Sequence, residues 1–428
     1  MSRLIGILIA VLLLVPGFAS AQGSMLGPYV YPEGVNPFTG LPVENPENLN
    51  RRPLIIKISN YPPVVRPQWG LNAADMVWEL VVEGGVTRFA AIYLSEDFER
   101  VGPVRSARLG DFDLVRIYNA LYAHSGSSVG TLERIRADPV ISSRSLYGGG
   151  CPPLCRIQEP GVAYEHTLFA DTAALREDAV ARRRDVTPDP VYGMAFSLRP
   201  PSGGLPLTGA RIYYSQTNVE WQYDRRSGRW LRSQDGEPHF DAMTETQISA
   251  ANVLIVEANH IEQPIVYDGY WGAANFAFTV ELSGTGRAVL LRDGQMFEGQ
   301  WRRENISDPL TYYDMEGNTL PFKLGNTFVQ LVPRWRNGYQ LAFLLQNPLT
   351  ATVIIPDGAN MRTGPATGYN VITRANGNDS FPAIGRNGAG TWVQVLRPDG
   401  SLAWLAMEVI QLDGDVMTLP QVRSTFEG

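Results

Sequence analysis

Cysteine and histidine are scarce, with two of the first and four of the second in 428 residues. Two thiols cannot complete a four-ligand zinc site, and no histidine stands beside Cys151 and Cys155 in GGGCPPLCRI. A local Cys151–Cys155 disulfide therefore ranks above metal binding or redox catalysis. Closing so short a loop would contribute only about 2 kcal/mol. No metal and no cofactor is expected. Charge of one sign is lacking too: 36 basic residues face 43 acidic ones, and the pI is about 5.3. That balance gathers neither nucleic acid nor an anionic membrane surface, so nucleic acid is not an expected partner. Long apolar runs are missing beyond the first residues, and no transmembrane span is expected in the mature chain.

The beginning of the chain reads MSRLIGILIAVLLLVPGFASA. Arg3, an apolar run from Leu4 to Phe18 and small residues at Ala19 and Ala21 have the form of a cleaved secretory signal over residues 1–21. The expected location is extracytoplasmic, secreted or associated with the cell envelope. The remaining length of about 400 residues suits two or three domains.

Residues 22–50 carry proline, asparagine and glycine without periodicity and read as an extended lead-in. From 51 to 185 the pattern mixes strands and helices, which predicts an α/β or α+β domain. PLIIKIS reads as a buried strand, ADMVWELVVEGGVTRFAAIYLS as a hairpin and LYAHS as a strand. SARLGDFDLVRIYNA reads as a helix with Ser106 near its start. GTLERIRAD and DTAALREDAVARRR also read as helices, the second capped by Asp171. Residues 186–206 concentrate proline and glycine as a linker. Residues 207–334 show strand after strand and predict an all-β domain.

The chemistry-bearing residues gather in the first domain. A two-residue Gly84–Gly85 turn would set Val81 opposite Arg88 and put Glu79, Glu83 and Arg88 on one face as an ion-pair cluster. Four residues along a strand hold Glu79 and Glu83 roughly 13 Å apart, too far for either glycosidase geometry. In VGPVRSAR, Arg105 and Arg108 flank Ser106; two neighbouring guanidinium groups repel unless an anion lies between them. That anion is either a carboxylate of the chain, Glu83, Asp111 or Asp113, or that of a ligand. Gly126 to Gly130 form a G-x-S-x-G pattern with Ser128 at its tip, and His166 is a possible base. The same residues serve equally as a helix cap or an anion-binding helix start. His124 ends a strand and could converge with Ser128, His166 and the arginines. His239 and His260 receive no role.

Residues 350–413 bring short strands and tight turns. Asn360, Arg362, Gly364, Pro365, Tyr369, Val371, Ile372, Trp392, Gly400 and Trp404 match the pattern of bacterial SH3-like domains, and the segment resembles that small β-barrel. NPFTGLP, the stretch from RRPLIIKISNYPP through AAIYLSED, VGPVRSAR and EHTLFAD resemble the signatures of the YerB-like lipoproteins, a bacterial envelope family. VEWQYD, GRWLRS, NVLIVE and GTGRAVLLRDG resemble that family's second, β-rich domain. The resemblance spans about residues 36 to 334. It implies that Glu83, Arg88, Arg105, Ser106, Arg108, His124, Ser128 and His166 share one site. In two respects the chain departs from these relatives: Gln22 follows Ala21 where they carry a lipid-anchored cysteine, and Gly130 stands where they lack glycine.

The leading expectation is an envelope protein that binds an anionic cell-wall or peptide ligand through Arg105, Arg108, Ser106, Glu83, Arg88, His124 and His166. The SH3-like barrel would add a contact to peptidoglycan. Two alternatives stand beside it: a hydrolase of wall peptide or glycan using Ser128 or His124 with His166, and a scaffold for envelope proteins.

Overall fold

The computed structural model describes residues 25–148, 150–158, 160–185, 191–267, 275–334, 339–398 and 401–422. The expected signal at 1–21 lies outside them, as does Gly400. The chain is mostly β, built from several sheets. In the described residues every α-helix falls between Phe112 and Ala181, and no helix is long and apolar enough to cross a membrane.

The N-terminal strands are β1 (Leu54–Ser59), β2 (Met76–Val81), β3 (Thr87–Tyr93), β4 (Leu121–Ala123) and β5 (Ser145–Leu146). β5, β4 and β1 run parallel, β3 lies antiparallel between β1 and β2, and β2 continues the sheet by pairing in parallel with Thr327–Pro333. Thr327–Pro333 in turn lies parallel to Asn252–Tyr267, and the antiparallel strands Gly284–Arg292, Gln295–Arg303 and Thr311–Asp314 follow. One sheet therefore crosses from one side of residues 186–206 to the other.

Alternation along these strands builds a core on each face. Ile55, Trp78, Leu80 and Ala90 pack with Leu114 and Val115 of the helix α1 (Phe112–Ile117). Ile56, Ile58, Phe89 and Phe328 pack instead on Ile212, Trp221, Trp230 and Phe343 of a second β layer. That layer joins Tyr339–Leu345, Leu205–Tyr214, Asn218–Asp224 and Arg229–Gln234.

Residues expected to serve as a linker are partly built into the body. Phe196 is fully buried, bridges Leu26 and Phe322, and Met194 is buried beside it. The apolar run Met194–Phe196 outweighs the proline and glycine around it. In the lead-in, Asn36 and Phe38 are buried, and Asn36 Nδ2 donates to Asp75 at 2.7 Å.

The C-terminal segment forms a seven-stranded sheet of its own. Trp392 and Trp404 lie on paired strands, Trp392–Leu396 and Leu402–Ala406. Arg362 Nη1 donates to the Tyr369 carbonyl at 2.7 Å. A Cβ on Gly364 would lie 2.6 Å from the Tyr369 ring, which explains glycine there. Trp404 and Val422 pack into the core of the main body.

Two expectations fail in the N-terminal part. The hairpin turn is a three-residue loop, Glu83–Gly85, closed by Val82 N–H to the Val86 carbonyl at 2.8 Å. Gly84 (φ 79°) and Gly85 (φ 72°) both adopt the left-handed conformation. One extra loop residue sets Leu80, not Val81, opposite Arg88, and Glu79 opposite Phe89. A shift of one turns every β3 side chain to the other face relative to β2, so the expected Glu79–Glu83–Arg88 cluster does not form.

The second failure is the helix expected from Ser106. Residues 103–107 are extended: Ser59 N–H donates to Pro103 O at 2.9 Å, Arg105 N–H to Lys57 O at 2.8 Å and Ala107 N–H to Gly126 O at 2.8 Å. With the backbone committed to these pairings, helical turns begin only with a 3-10 turn at Leu109–Asp111, ahead of α1.

Candidate functional site

Residues 105–108 tie four elements together. They run beside the end of β1, and Arg105 O accepts from Ser125 N–H at 3.0 Å in the loop after β4. Arg105 Nη1 donates to the Glu165 carbonyl at 2.9 Å in the 3-10 turn Tyr164–His166. From β3, Arg88 Nη1 reaches Ser106 O at 3.0 Å, and Arg108 Nη1 reaches the same oxygen at 3.3 Å. Upstream, Gly102 is required by close approach: a Cβ there would lie 2.8 Å from Val104 N and 3.0 Å from Leu168 O. The site lies at the carboxyl ends of the parallel strands β1, β4 and β5, where α/β sheets commonly place ligands.

Beneath this strip is an ion pair with both side chains fully buried, Lys57 to Asp111 at 2.5 Å. Asp111 also accepts from Tyr122 Oη at 2.5 Å and from Arg108 N–H at 3.0 Å. Burial pushes the Lys57 ammonium below its usual range, Asp111 pulls it back up, and Arg88 and Arg108 push it further down. Tyr122 is held well above the usual phenol range by burial and by Asp111.

Arg108 Nε donates to the Glu83 carboxylate, and both side chains are largely buried. One of the carboxylates expected as a partner thus holds Arg108. Arg88 differs: its hydrogen bond goes to a backbone carbonyl, and among the described residues no Asp or Glu pairs with it. Burial, then Arg108 and Arg105, push Arg88 well below the arginine range against the pull of Glu83 and Asp111. Lys57 and Arg108 thus hold the neighbouring acids Asp111 and Glu83, and Arg88 stands beside them. Glu83, Arg108, Lys57 and Asp111 line a narrow pocket, with room for about one water molecule, together with the apolar side chains of Leu80, Val81, Val82 and Phe278.

His124 is fully buried, its Nδ1 lies 2.9 Å from Gly126 O, and its ring stacks on Tyr147 at 4.8 Å. Burial lowers it to about 4. His166 is lowered to about 4 by burial and then by Arg105, which Glu165 opposes; Arg88 adds to the lowering. Among the described residues, His124 Nε2 and His166 Nδ1 are buried without hydrogen-bond partners.

Ser128 caps the helix α2 (Val129–Ala137): its Oγ accepts from Thr131 N–H at 3.4 Å and donates to Thr131 Oγ1 at 3.3 Å. Its backbone is extended at φ −62°, ψ 160°, without the strained turn of a nucleophile elbow. No hydrogen bond joins Ser128 to either histidine, so the serine–histidine arrangement is not assembled. Of the expected residues, Arg88, Arg105, Ser106, Arg108, Glu83 and His166 come together; His124 adjoins them through the Ser125–Gly126 loop.

Sequence reading overlooked Lys57 and Tyr122, and named Asp111 only as a partner for the arginines, whereas its ion pair is with Lys57. The signal was present in LIIKIS, since a lysine inside a buried strand requires a carboxylate. It also overlooked where Glu79 goes. Glu79 pairs with Arg232 at 2.8 Å, both side chains fully buried, and accepts from Thr87, Asn60 and Gln330. His239 belongs to this second network through Gln68 Oε1, at 2.5 Å, and Arg232. His260 Nδ1 lies 3.1 Å from its near neighbour Ala258 O. Cys151 and Cys155 are joined in a disulfide. Among the described residues no three His, Cys, Asp or Glu side chains group as metal ligands.

The chain matches three known families along its length. Residues 38–186 match the N-terminal domain, and residues 210–329 the C-terminal domain, of the protein of unknown function DUF3048. Residues 357–411 match the bacterial SH3 domain. The Bacillus subtilis protein YerB, a candidate lipoprotein, is 28% identical over 309 residues, covering 69% of this chain and 86% of its own. The crystal structure of YerB from Bacillus subtilis superposes with a TM-score of 0.57 at 25% identity, covering 70% of this chain and 96% of that one.

Proposed function

Because the chain belongs to the YerB-like family, with both DUF3048 domains and a bacterial SH3 domain in order, we propose that it is an exported envelope protein that binds an anionic ligand of the cell wall or of a peptide. The ligand sits at the cationic strip of Arg88, Arg105 and Arg108, and the SH3 barrel adds a second contact to the wall. The observation that carries this reading is the convergence of Arg88 and Arg108 on the single carbonyl oxygen of Ser106, with Arg105 beside them. Guanidinium groups held that close repel one another, and an anion between them relieves the repulsion.

The experiment is co-sedimentation of the protein with purified peptidoglycan at two ionic strengths. Binding that weakens with added salt and falls in Arg88→Gln supports the reading. Protein that stays in the supernatant at low salt removes it. The hydrolase alternative has no geometric support, since Ser128 is occupied as a helix cap.

A further inference from the structure

We propose that the SH3 barrel carries a groove for an extended peptide, and that the chain's own tail, Pro420 to Val422, fills it. The inference concerns the barrel and does not rest on the anion site.

Three strands build the groove. Gly385 on Ser380–Arg386 lies opposite Gln394 on Trp392–Leu396, and Gln394 lies opposite Trp404 on Leu402–Ala406. Residues directly opposed across strands share a face. Val393, Val395, Ala403 and Leu405, their neighbours along the strands, form the barrel's own core, so alternation turns Gln394 and Trp404 outward. Although they face outward, they are only 3% and 2% exposed.

What covers them is the tail. Arg386 N–H donates to Pro420 O at 2.9 Å and Val422 N–H donates to Arg386 O at 2.8 Å. That is the parallel pairing by which an extended peptide adds itself to a strand. From the main body, Arg287 Nη2 donates to Gln421 O at 2.8 Å. Val422 is the side chain that enters the groove: it is 2% exposed and packs in one cluster with Trp404. A Cβ on Gly385 would lie 2.3 Å from Val422 Cγ2. Gly385 has no positive φ to explain it, so what the glycine provides is room for the tail.

One group in the groove is left unmatched. Gln394 Oε1 is buried without a hydrogen-bond partner among the described residues, and it lies 3.4 Å from the place a Gly385 Cβ would take. A buried acceptor without a donor costs about 1–3 kcal/mol. The unmet acceptor marks the tail as a replaceable occupant rather than part of a sealed core. The partner that fits is an extended polypeptide segment with a small branched apolar side chain in the position of Val422.

The test follows a fluorescein-labelled peptide, Pro-Gln-Val-Arg-Ser-Thr-Phe, which copies residues 420–426. Its anisotropy is measured with the full chain and with a chain ending at Leu419. The expected result is saturable binding to the shortened chain and at least tenfold weaker binding to the full chain, whose tethered tail competes at high effective concentration. Replacing the valine of the peptide by aspartate should weaken binding to the shortened chain at least tenfold, and Gly385→Val in that chain should do the same. Equal binding by the two chains overturns the occupancy of the groove by the tail. No binding to either chain overturns the groove itself. An aspartate peptide that binds as tightly as the original overturns the apolar pocket. Should the shortened chain fail to fold, the full chain with Val422→Asp takes its place; should Gly385→Val fail to fold, the substituted peptide carries the same comparison.

Discussion

Glu79 and Arg88 lie on opposite faces of one hairpin. Each therefore answers to a different neighbourhood, Glu79 to Arg232 in the buried seam between the two β layers and Arg88 to the cationic strip. A loop of three residues rather than two decides which side chain meets which.

The first prediction concerns that loop. Gly84 has open space where a Cβ would go, and its φ is 79°. Gly84→Ala should cost about 1–2 kcal/mol through backbone conformation alone, and Gly84→Asn less, because asparagine tolerates that region. Urea unfolding of the three proteins measures both.

A larger loss is expected in the seam. Glu79→Ala leaves Arg232 charged and buried, which should cost about 3–5 kcal/mol. Replacing Glu79 and Arg232 together by methionine should cost less than the sum of the single changes. A double-mutant cycle in guanidinium chloride reads the difference.

Acid should weaken the fold through its histidines. His124, His166 and His260 are all lowered to about 4, below the unfolded value of about 6.5. As pH falls the unfolded chain takes up protons first, so this stability is complete above pH 6.5 and is lost progressively toward 4. Imidazole NMR titration should give midpoints near 4, and His166→Gln should flatten the decline of melting temperature over that interval. A midpoint near 6.5 for His166 would show that its burial is not maintained in solution.

The disulfide is a local device. Replacing Cys151 and Cys155 by serine should lower global stability by no more than about 2 kcal/mol, read as a small shift in the denaturant midpoint.

Much of the architecture is legible in local patterns. β1 appears where PLIIKIS predicts it, and Asp171 caps the helix α4 (Thr172–Ala181) by accepting from Ala174 N–H at 3.0 Å. What stays hidden is non-local. Arg232 lies 153 residues from Glu79, and Gln330 lies 251 residues from it, and no spacing rule links them. The late start of α1 is hidden for the same reason: the pairing of residues 103–107 with β1 and with Gly126 outcompetes a helical propensity that the local sequence does carry.

Thr327–Pro333 sits between β2 and Asn252–Tyr267, hydrogen-bonded on both sides. An interior strand of the large sheet is thus among the last to be synthesised, with only Tyr339–Leu345 of that sheet after it. A nascent polypeptide halted before position 327 keeps a naked edge on β2, open to mispairing with other copies. Residues of both family domains share the hydrophobic cores on the two faces of this sheet, so the two are expected to fold as a single cooperative unit.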